Sequence, residues 1–176
     1  MESLQDLDPA DPLEQSPALE ALWEAAAGAG VSPRPAQEVG KQELQVAQPF
    51  RTFYGSRGER ILVGRSAKDN DALTFRVARG RDIWLHARDV SGSHVIIPME
   101  KKASVSSHTL LDAAHLALHF SKARGETSGD VQWTERKHVR RVPGAGPGRV
   151  TVAAGRTLRV RVEPERIAAL YERKPL

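Results

Sequence analysis

The chain has 176 residues and a net charge of +4, which is enough length for one full domain and an appendage. It contains no cysteine, which excludes disulfides and thiolate metal sites and suits a reducing compartment. Its apolar runs are far shorter than the ~20 residues of a membrane-spanning helix. The acidic start also lacks the features of a signal peptide. We therefore expect a cytoplasmic protein with no membrane attachment.

Charge is distributed unevenly along the chain. Residues 1–50 hold 9 acidic and 2 basic side chains, for a net charge of −7, whereas residues 51–176 hold 24 basic and 13 acidic, for a net charge of +11. A basic body behind an acidic arm indicates a polyanionic partner, most often nucleic acid. An Arg-rich composition that only serves solubility would give the same count, so charge alone leaves both interpretations open.

Residues 1–49 are predicted to form an acidic arm with one short helix and a linker. Ser16 and Pro17 supply an N-cap and a first-turn proline, and Gly28 ends the helix. The linker that follows has little periodicity, and its prolines favour an extended path. We therefore expect a single folded domain over residues 50–176.

The domain opens with two predicted strands, 50–54 and 60–64. The four residues 55–58 between them contain two glycines and predict a hairpin, with Arg57 making its tip basic. This hairpin is expected to begin the sheet.

A short helix is predicted after the hairpin, with Ser66 as its N-cap. Its N-terminus lies beside Arg65 and Lys68, and unpaired backbone N–H groups together with cations can bind a phosphate. Simple capping, with Arg65 paired to Asp69 or Asp71, explains the same residues. The sequence leaves both possibilities open.

The segment 81–97 carries the densest set of functional groups. Alternation over 82–87 places Ile83 and Leu85 on one face of a strand and Trp84 and His86 on the other. A polar stretch containing Gly92 joins this strand to 93–97 and predicts a hairpin.

The apolar residues of the two strands must face the same side, and this requirement fixes the register of the hairpin. The expected pairs are Leu85 with Val95, Ile83 with Ile97, Trp84 with Ile96 and His86 with His94.

The polar face of the hairpin is predicted to be a contact surface. Trp84, His86 and His94 would share it with Arg88, Asp89 and Ser91 of the loop. Together these side chains can stack on bases and can donate and accept hydrogen bonds. A single tryptophan is more often part of a core, so burial of Trp84 is the alternative.

The longest predicted helix starts at Ser106 or Ser107 and runs roughly to Ala123. Its apolar side is expected to pack on the sheet. Its polar side carries a stripe at helical spacing, made of His108, Asp112, His115 and His119. Such a stripe could ligate a metal, but a solvated helix face explains it equally well and the glutamate of metalloprotease motifs is missing. No metal site is expected.

The last third of the chain returns to strands. Residues 131–134 and 136–141 are predicted strands, the stretch PGAGPG is a break, and strands resume at 149–152 and 158–162 before a helix that starts at Pro164. Arg136 to Arg141 form the densest positive cluster and lie next to Trp133. Charge beside an aromatic surface is typical of binding to single-stranded or looped RNA.

Three ordered blocks of this chain resemble the NFACT-R domain. They are VGRSAKDNDALTFRVA (63–78), IWLHARDVSGSHVII (83–97) and the helix ending HFSKAR (119–124). NFACT-R is the RNA-binding C-terminal module of ribosome-associated quality-control factors, including bacterial proteins once called fibronectin-binding proteins and the nuclear export mediator factor. The resemblance covers roughly Phe50 to Val162. The chain has Ser91 where the family usually has proline, and Gly146 where it usually has a basic residue.

The resemblance implies a single α+β domain, with a mostly antiparallel sheet and one long and one or two short helices packed on it. It implies an RNA-binding module that contacts tRNA or rRNA on the stalled large ribosomal subunit and supports C-terminal tailing of nascent chains. No catalytic residue, cofactor, metal or small-molecule substrate is implied. The residues expected to contact RNA are Arg57, Arg65, Lys68, Asn70, Asp71, Trp84, His86, Arg88, Asp89, Ser91, Gly92, Ser93, His94, Ser121, Lys122, Lys137, Arg140 and Arg141.

Two other functions stay open from the sequence. A stand-alone nucleic-acid-binding protein with no ribosomal role would share the same charge pattern. A hydrolase would use His86, His94 and Asp89 with Ser91 or Ser93 as nucleophile, but no G-x-S-x-G turn accompanies them. The sequence also leaves open whether the chain is a fragment of a longer factor.

Overall fold

A computed structural model describes residues 47–175 of the protein. The predicted arm helix and most of the linker lie outside the described residues. None of the described helices is long and apolar enough to cross a membrane.

The described chain alternates strands with short helical segments. The strands are β1 (Phe50–Tyr54), β2 (Arg60–Gly64), β3 (Ile83–Ala87), β4 (Val95–Ile97), β5 (Ser128–Glu135), β6 (Val139–Arg141), β7 (Val150–Val152) and β8 (Arg156–Arg161). The helices are α1 (Ala67–Ala72), α2 (Ser107–His119) and α3 (Pro164–Glu172), with a π-helical turn at Leu73–Val77 and a 3-10 turn at Arg136–His138.

Six strands form an antiparallel sheet in the order β1-β2-β4-β3-β5-β8, and β6 and β7 form a separate hairpin. The β3–β4 register is the predicted one, with Ile83 opposite Ile97, Trp84 opposite Ile96 and Leu85 opposite Val95. The predicted α+β class is confirmed.

One face of the sheet, the inner face, packs against α2 and α3. Leu85 and Val95 from the sheet meet Ala113, Leu116 and Ala117 from α2 in this core, and all five are fully buried. The small alanines let the helix approach the strands closely. The prediction that this side of α2 packs on the sheet is confirmed.

The opposite, outer face is only partly covered. The π-helical turn and the β6–β7 hairpin lie over β1, β2, β3 and β4, where Leu73 and Val139 bury Leu62, Trp84 and Ile96 in a second core. Beyond His86 the outer face of β5 and β8 is open. Its exposed side chains include Thr157, Arg159 and Arg161.

The register defines two ends of the sheet. At the upper end β2, β3 and β8 finish and β4 and β5 begin; at the lower end lie the β1–β2 turn, the start of β3 and the end of β4. The loops at the two ends therefore point in opposite directions.

Two segments differ from the sequence prediction. Helix α2 ends at His119 because the next residues pair with the β3–β4 loop, where the Ser93 N–H donates to the Phe120 carbonyl at 2.9 Å and the Lys122 N–H donates to the Ser91 carbonyl at 2.9 Å. The predicted strand at 136–141 begins instead as a 3-10 turn, in which the Lys137 N–H donates to the Gly80 carbonyl at 3.0 Å.

Candidate nucleic-acid interface

Trp84 belongs to the outer core. Its side chain is 1% exposed, and Phe50, Leu62, Leu73 and Val139 surround it. The prediction that Trp84 offers an exposed stacking surface is therefore wrong. The alternation placed it on the correct face, but a covering layer formed from distant segments removes that part of the face from solvent.

His94 is buried beside Trp84 and is held by two hydrogen bonds. Its Nδ1 lies 2.8 Å from the Thr74 hydroxyl, and its backbone N–H donates to the Asn70 side-chain oxygen at 3.0 Å. Burial, with a smaller contribution from the charge of His86, lowers the pKa of His94 to about 3. The imidazole is therefore neutral at physiological pH and serves the packing of this region.

The low pKa of His94 predicts acid sensitivity. An exposed histidine has a pKa of 6.5, so between pH 6.5 and about 3 the unfolded chain binds a proton that the folded chain does not. Stability should fall as the pH falls through this window, by up to about 1.4 kcal/mol per pH unit for this group. His94→Gln retains hydrogen-bonding groups and does not titrate, so its urea-unfolding free energy should change less than that of the wild type between about pH 7 and pH 5. Equal losses in both proteins would contradict this assignment.

His86 lies at the border between the covered and open parts of the outer face. Its ring is half-buried and stacks on Trp84 at 5.9 Å between centroids with an interplanar angle of 12°. Burial lowers its pKa below 6.5, so this ring is also mainly neutral near neutral pH. Trp84 supports one side of the His86 ring, and the open part of the outer face begins beside it.

The β3–β4 loop is fixed against the end of α2. A Cβ added at Gly92 would come within 2.7 Å of the Ser121 Cβ, so only glycine permits this approach. Asp89 adopts a positive φ of 59° and leaves its carboxylate 86% exposed, 3.4 Å from the Arg88 guanidinium. Arg88 also donates to the Thr157 hydroxyl across the open face at 3.2 Å. The loop therefore presents Arg88 and Asp89 to solvent, with Lys122 exposed on the neighbouring segment.

Several predicted contact residues have structural partners at the upper end. The Asn70 amide is buried and donates to the Gly92 carbonyl at 3.2 Å, the Ser93 hydroxyl donates to the Gly64 carbonyl at 2.7 Å, and the Ser121 hydroxyl donates to the Leu118 carbonyl at 2.8 Å. These side chains hold the loops together.

Ser66 is confirmed as the N-cap of α1, because its hydroxyl accepts the Asp69 N–H at 3.1 Å. The alternative in which Arg65 pairs with Asp69 or Asp71 is wrong. The Arg65 guanidinium instead donates to the Phe50 carbonyl at 3.0 Å. Lys68 is exposed beside it.

Asp71 pairs with Arg141 through two hydrogen bonds of 2.7 Å. This pairing holds the pKa of Asp71 below its ordinary value. The Arg141 guanidinium also lies 4.1 Å from the centre of the Phe75 ring, while Arg140 is exposed beside it. Arg141 therefore fixes the β6–β7 hairpin on the outer face, and among residues 47–175 Arg140 is the one of these two arginines that forms no ion pair.

The structure separates two predicted residues from the rest. Arg57 lies in the β1–β2 turn and Lys137 in the 3-10 turn, both at the lower end, whereas the exposed Arg65, Arg88 and Lys122 lie at the upper end. Lys137 is paired with Glu135 at 2.6 Å. The sequence-based site is therefore divided between opposite ends of the sheet.

The predicted histidine stripe of α2 is partly buried by α3. Asp112 and His115 are fully buried, and the His115 Nε2 accepts the Glu163 N–H at 3.1 Å. The interpretation of the stripe as a solvated helix face is therefore wrong for these two positions. Within residues 47–175 no three histidine or acidic side chains are grouped so as to hold a metal ion.

The hydrolase arrangement is not assembled in the described part of the chain. The Ser93 hydroxyl and Asp89 carboxylate have the partners given above, and no hydrogen bond joins a described serine to His86 or His94. Among residues 47–175, neither Ser91 nor Ser93 is therefore paired with a histidine that could act as its base.

Sequence reasoning missed the open face of β5 and β8. Thr157, Arg159 and Arg161 project from it next to Arg88, and Arg159 pairs with Asp130 at 3.3 Å. Alternation over 157–161 was the available signal, but an arginine-rich edge strand also serves to prevent sheet-to-sheet aggregation.

The protein is a small α+β domain whose sheet carries basic loops and an open face. Domains with these features are found among nucleic-acid-binding modules. The family described as "NFACT protein RNA binding domain" matches residues 49–153 of this chain. The chain therefore belongs to the NFACT-R family, as its sequence motifs indicated.

Named relatives agree with this family. The chain is 35% identical over 168 residues to the Rqc2 homolog RqcH of Bacillus subtilis (strain 168), covering 95% of this chain and 28% of that protein. It is 32% identical over 76 residues to the ribosome quality control complex subunit NEMF homolog of Drosophila melanogaster, covering 43% of this chain and 8% of that protein. The chain thus spans about a quarter of the length of the bacterial relative.

A solved structure shares the fold. The C-terminal part of the fibronectin/fibrinogen-binding protein from Streptococcus suis aligns with a TM-score of 0.65 at 32% identity, over 86% of this chain and 59% of that one.

Proposed function

We propose that this chain is the RNA-binding module of a cytoplasmic ribosome-associated quality-control factor. In this role it contacts tRNA or rRNA on the stalled large ribosomal subunit and supports C-terminal tailing, while peptide transfer belongs to the ribosome. The chain itself supplies binding and no catalytic group.

The observation that carries this proposal is the set of exposed cations on the loops of the upper end. Arg65, Lys68, Arg88 and Lys122 come from three separate segments that hydrogen bonds hold together. Cations supplied by fixed loops can contact several phosphates at once with little loss of conformational freedom.

His86 supplies the second ingredient of RNA recognition. It is neutral, supported by Trp84 and placed next to the open outer face. Unstacked bases of looped or single-stranded RNA stack on such rings, and nearby cations hold the backbone. This combination favours RNA over a binding mode that uses charge alone.

The ribosomal context of the proposal comes from the relatives. The name of the Drosophila relative places that protein in a ribosome quality control complex, and the Bacillus relative is named as a homolog of Rqc2. Retention of the bacterial relative's sequence across nearly all of this chain supports a common role.

The proposal predicts RNA binding that weakens steeply with salt. Each phosphate contact contributes about −0.7 to −0.9 to the slope of log affinity against log salt concentration. Removing two cations with Arg88→Ala/Lys122→Ala should therefore make the slope less steep by about 1.4 to 1.8 and weaken binding at low salt. Filter binding of the full chain to bulk tRNA and to isolated large ribosomal subunits measures both quantities.

Arg76→Ala/Lys174→Ala is the matched control, because it removes the same charge from exposed positions outside this surface. It should retain most of the wild-type slope. A flat salt response of the wild type, or equal effects of the two double variants, would contradict the proposal. Sequencing of RNA recovered with the protein from lysate distinguishes ribosomal RNA and tRNA from the unselected RNA expected of a stand-alone binder.

A further inference from the structure

The lower end of the sheet contains a groove separate from the upper surface. Two adjoining clefts, of about 540 and 1510 Å³, form it, and both are lined by Arg81, Met99 and residues 103–105. Its walls are the β1–β2 turn, the segment before β3, the β4–α2 loop and the 3-10 turn after β5.

Basic side chains dominate the lining of this groove. The eight basic residues are Arg57, Arg60, Arg79, Arg81, Lys101, Lys102, Lys137 and Arg156, and the four acidic residues are Glu59, Asp82, Glu100 and Glu135. The positive excess is concentrated in a concave surface, which raises the local potential.

Three of the acidic groups have local partners. The Asp82 carboxylate is buried and accepts the Arg79 N–H at 2.7 Å and the Met99 N–H at 2.9 Å, and Glu135 pairs with Lys137 at 2.6 Å. The Glu59 carboxylate accepts the Arg57 N–H at 3.1 Å. Asp82 thereby ties together the segment before β3 and the β4–α2 loop. The groove is held in shape by a carboxylate that forms no ion pair with its arginines.

Seven of the eight cations of the groove lack ion pairs. Among residues 47–175, no ion pair involves Arg57, Arg60, Arg79, Arg81, Lys101, Lys102 or Arg156. Like charges gathered without counterions repel one another, and a bound polyanion removes that repulsion while releasing its own counterions.

An aromatic ring completes the lining. Trp133 is half-buried in the wall of the smaller cleft, and the Arg156 guanidinium lies 5.2 Å from its ring centre. A ring beside a guanidinium offers a base a place to stack as well as a charge for the adjoining phosphate. This feature favours RNA over an acidic protein segment.

We propose that the lower groove binds a second segment of single-stranded RNA, so that the domain contacts RNA at both ends of its sheet. The inference rests on the proposed RNA-binding function and adds a second site to it. Strand β3 has five residues, and at about 3.3 Å per residue the two sites are separated by at least roughly 15 Å. An RNA long enough to reach both sites gains affinity from the linkage.

The test removes two unpaired cations with Arg79→Ala/Arg81→Ala. The probe is a fluorescein-labelled oligouridylate of about 12 nucleotides, long enough to occupy one single-strand site. We expect its affinity for the full chain to fall about tenfold, and the salt slope to become less steep by about 1.4, relative to the Arg76→Ala/Lys174→Ala control. The thermal midpoint should stay unchanged, because all four side chains are exposed.

Tryptophan fluorescence locates the site independently. Oligouridylate should quench the emission of wild type and of Arg88→Ala/Lys122→Ala, and the quench should be clearly smaller in Trp133→Phe. An unaltered quench in Trp133→Phe would overturn the assignment of the groove.

The two proposals fail in different ways. If Arg79→Ala/Arg81→Ala binds oligouridylate like its control while Arg88→Ala/Lys122→Ala is impaired, the groove proposal is overturned and the upper surface stands. If the reverse holds, the groove is supported and the upper surface fails. Unchanged oligouridylate affinity with weaker binding to large ribosomal subunits would assign the groove to another component of the subunit and overturn the single-stranded RNA assignment.

Discussion

Replacing Trp84 by alanine should lower the free energy of unfolding by about 3–5 kcal/mol, the range for truncating a large buried aromatic side chain. Trp84 is 1% exposed and fills the outer core between the sheet and its covering layer. The substitution removes this burial and leaves a cavity. RNA affinity per folded molecule should change less than in Arg88→Ala/Lys122→Ala, because the indole does not reach solvent.

Trp84→Phe is the matched control. Its ring retains most of the burial, and it removes the indole N–H, a buried side-chain group that has no hydrogen-bond partner among the described residues. Leaving such a donor unpaired costs about 1–3 kcal/mol, so its removal offsets part of the lost packing. Urea unfolding should therefore place Trp84→Phe much closer to wild type than Trp84→Ala. Normal stability of Trp84→Ala with weakened RNA binding would contradict the structure.

The local patterns of the sequence were sufficient for the register of the central hairpin and for the first helix cap. Alternation placed Ile83 and Leu85 on the inner face and fixed their partners on β4, because a shift by one residue would turn every side chain to the wrong side. Ser66 was recognisable as an N-cap because a hydroxyl before a helix accepts an N–H of its first turn. For α2 the sequence left Ser106 and Ser107 open, and Ser106 is the cap.

The same local patterns could not predict burial that depends on segments distant in the chain. The outer side of Trp84 is covered by Leu73 and Val139, which lie 11 residues before and 55 residues after it in the chain. Nothing within 81–97 distinguishes this covered part of the face from the open part beside His86. The sequence alone therefore left the role of Trp84 undecided.

The division of the basic residues between two ends also required the topology. Arg57 and Lys137 belong to clusters with the same composition as the upper loops, but the direction of β2 and β5 places them at the lower end. Charge counts carry no information on direction. Only the strand order shows that these residues and Arg88 face different parts of a ligand.

The polar stripe of α2 contains Asp112, whose buried carboxylate holds α3 in place. The Asp112 carboxylate is fully buried and accepts hydrogen bonds from Arg166 at 2.7 Å and Arg173 at 3.1 Å. The Ser56 N–H also approaches it at 3.3 Å. One carboxylate therefore joins α2, the start and end of α3 and the β1–β2 turn.

Asp112→Ala should lower the free energy of unfolding by about 3 kcal/mol, because removing one partner of a buried ion pair leaves the others uncompensated. The expected loss is at the lower end of the range for buried pairs, since the Arg166 and Arg173 side chains are 22% and 30% exposed and recover some hydration. Urea unfolding near neutral pH measures the loss.

Glu163→Gln is the control for this experiment, since Glu163 pairs with the same Arg166 at 2.7 Å but its carboxylate lies in solvent. Exposed ion pairs contribute little to stability, so the free energy of unfolding of this variant should be close to that of the wild type. If Asp112→Ala and Glu163→Gln had equal stabilities, the carboxylate would not anchor α3, and the α2 stripe would have to be assigned another role.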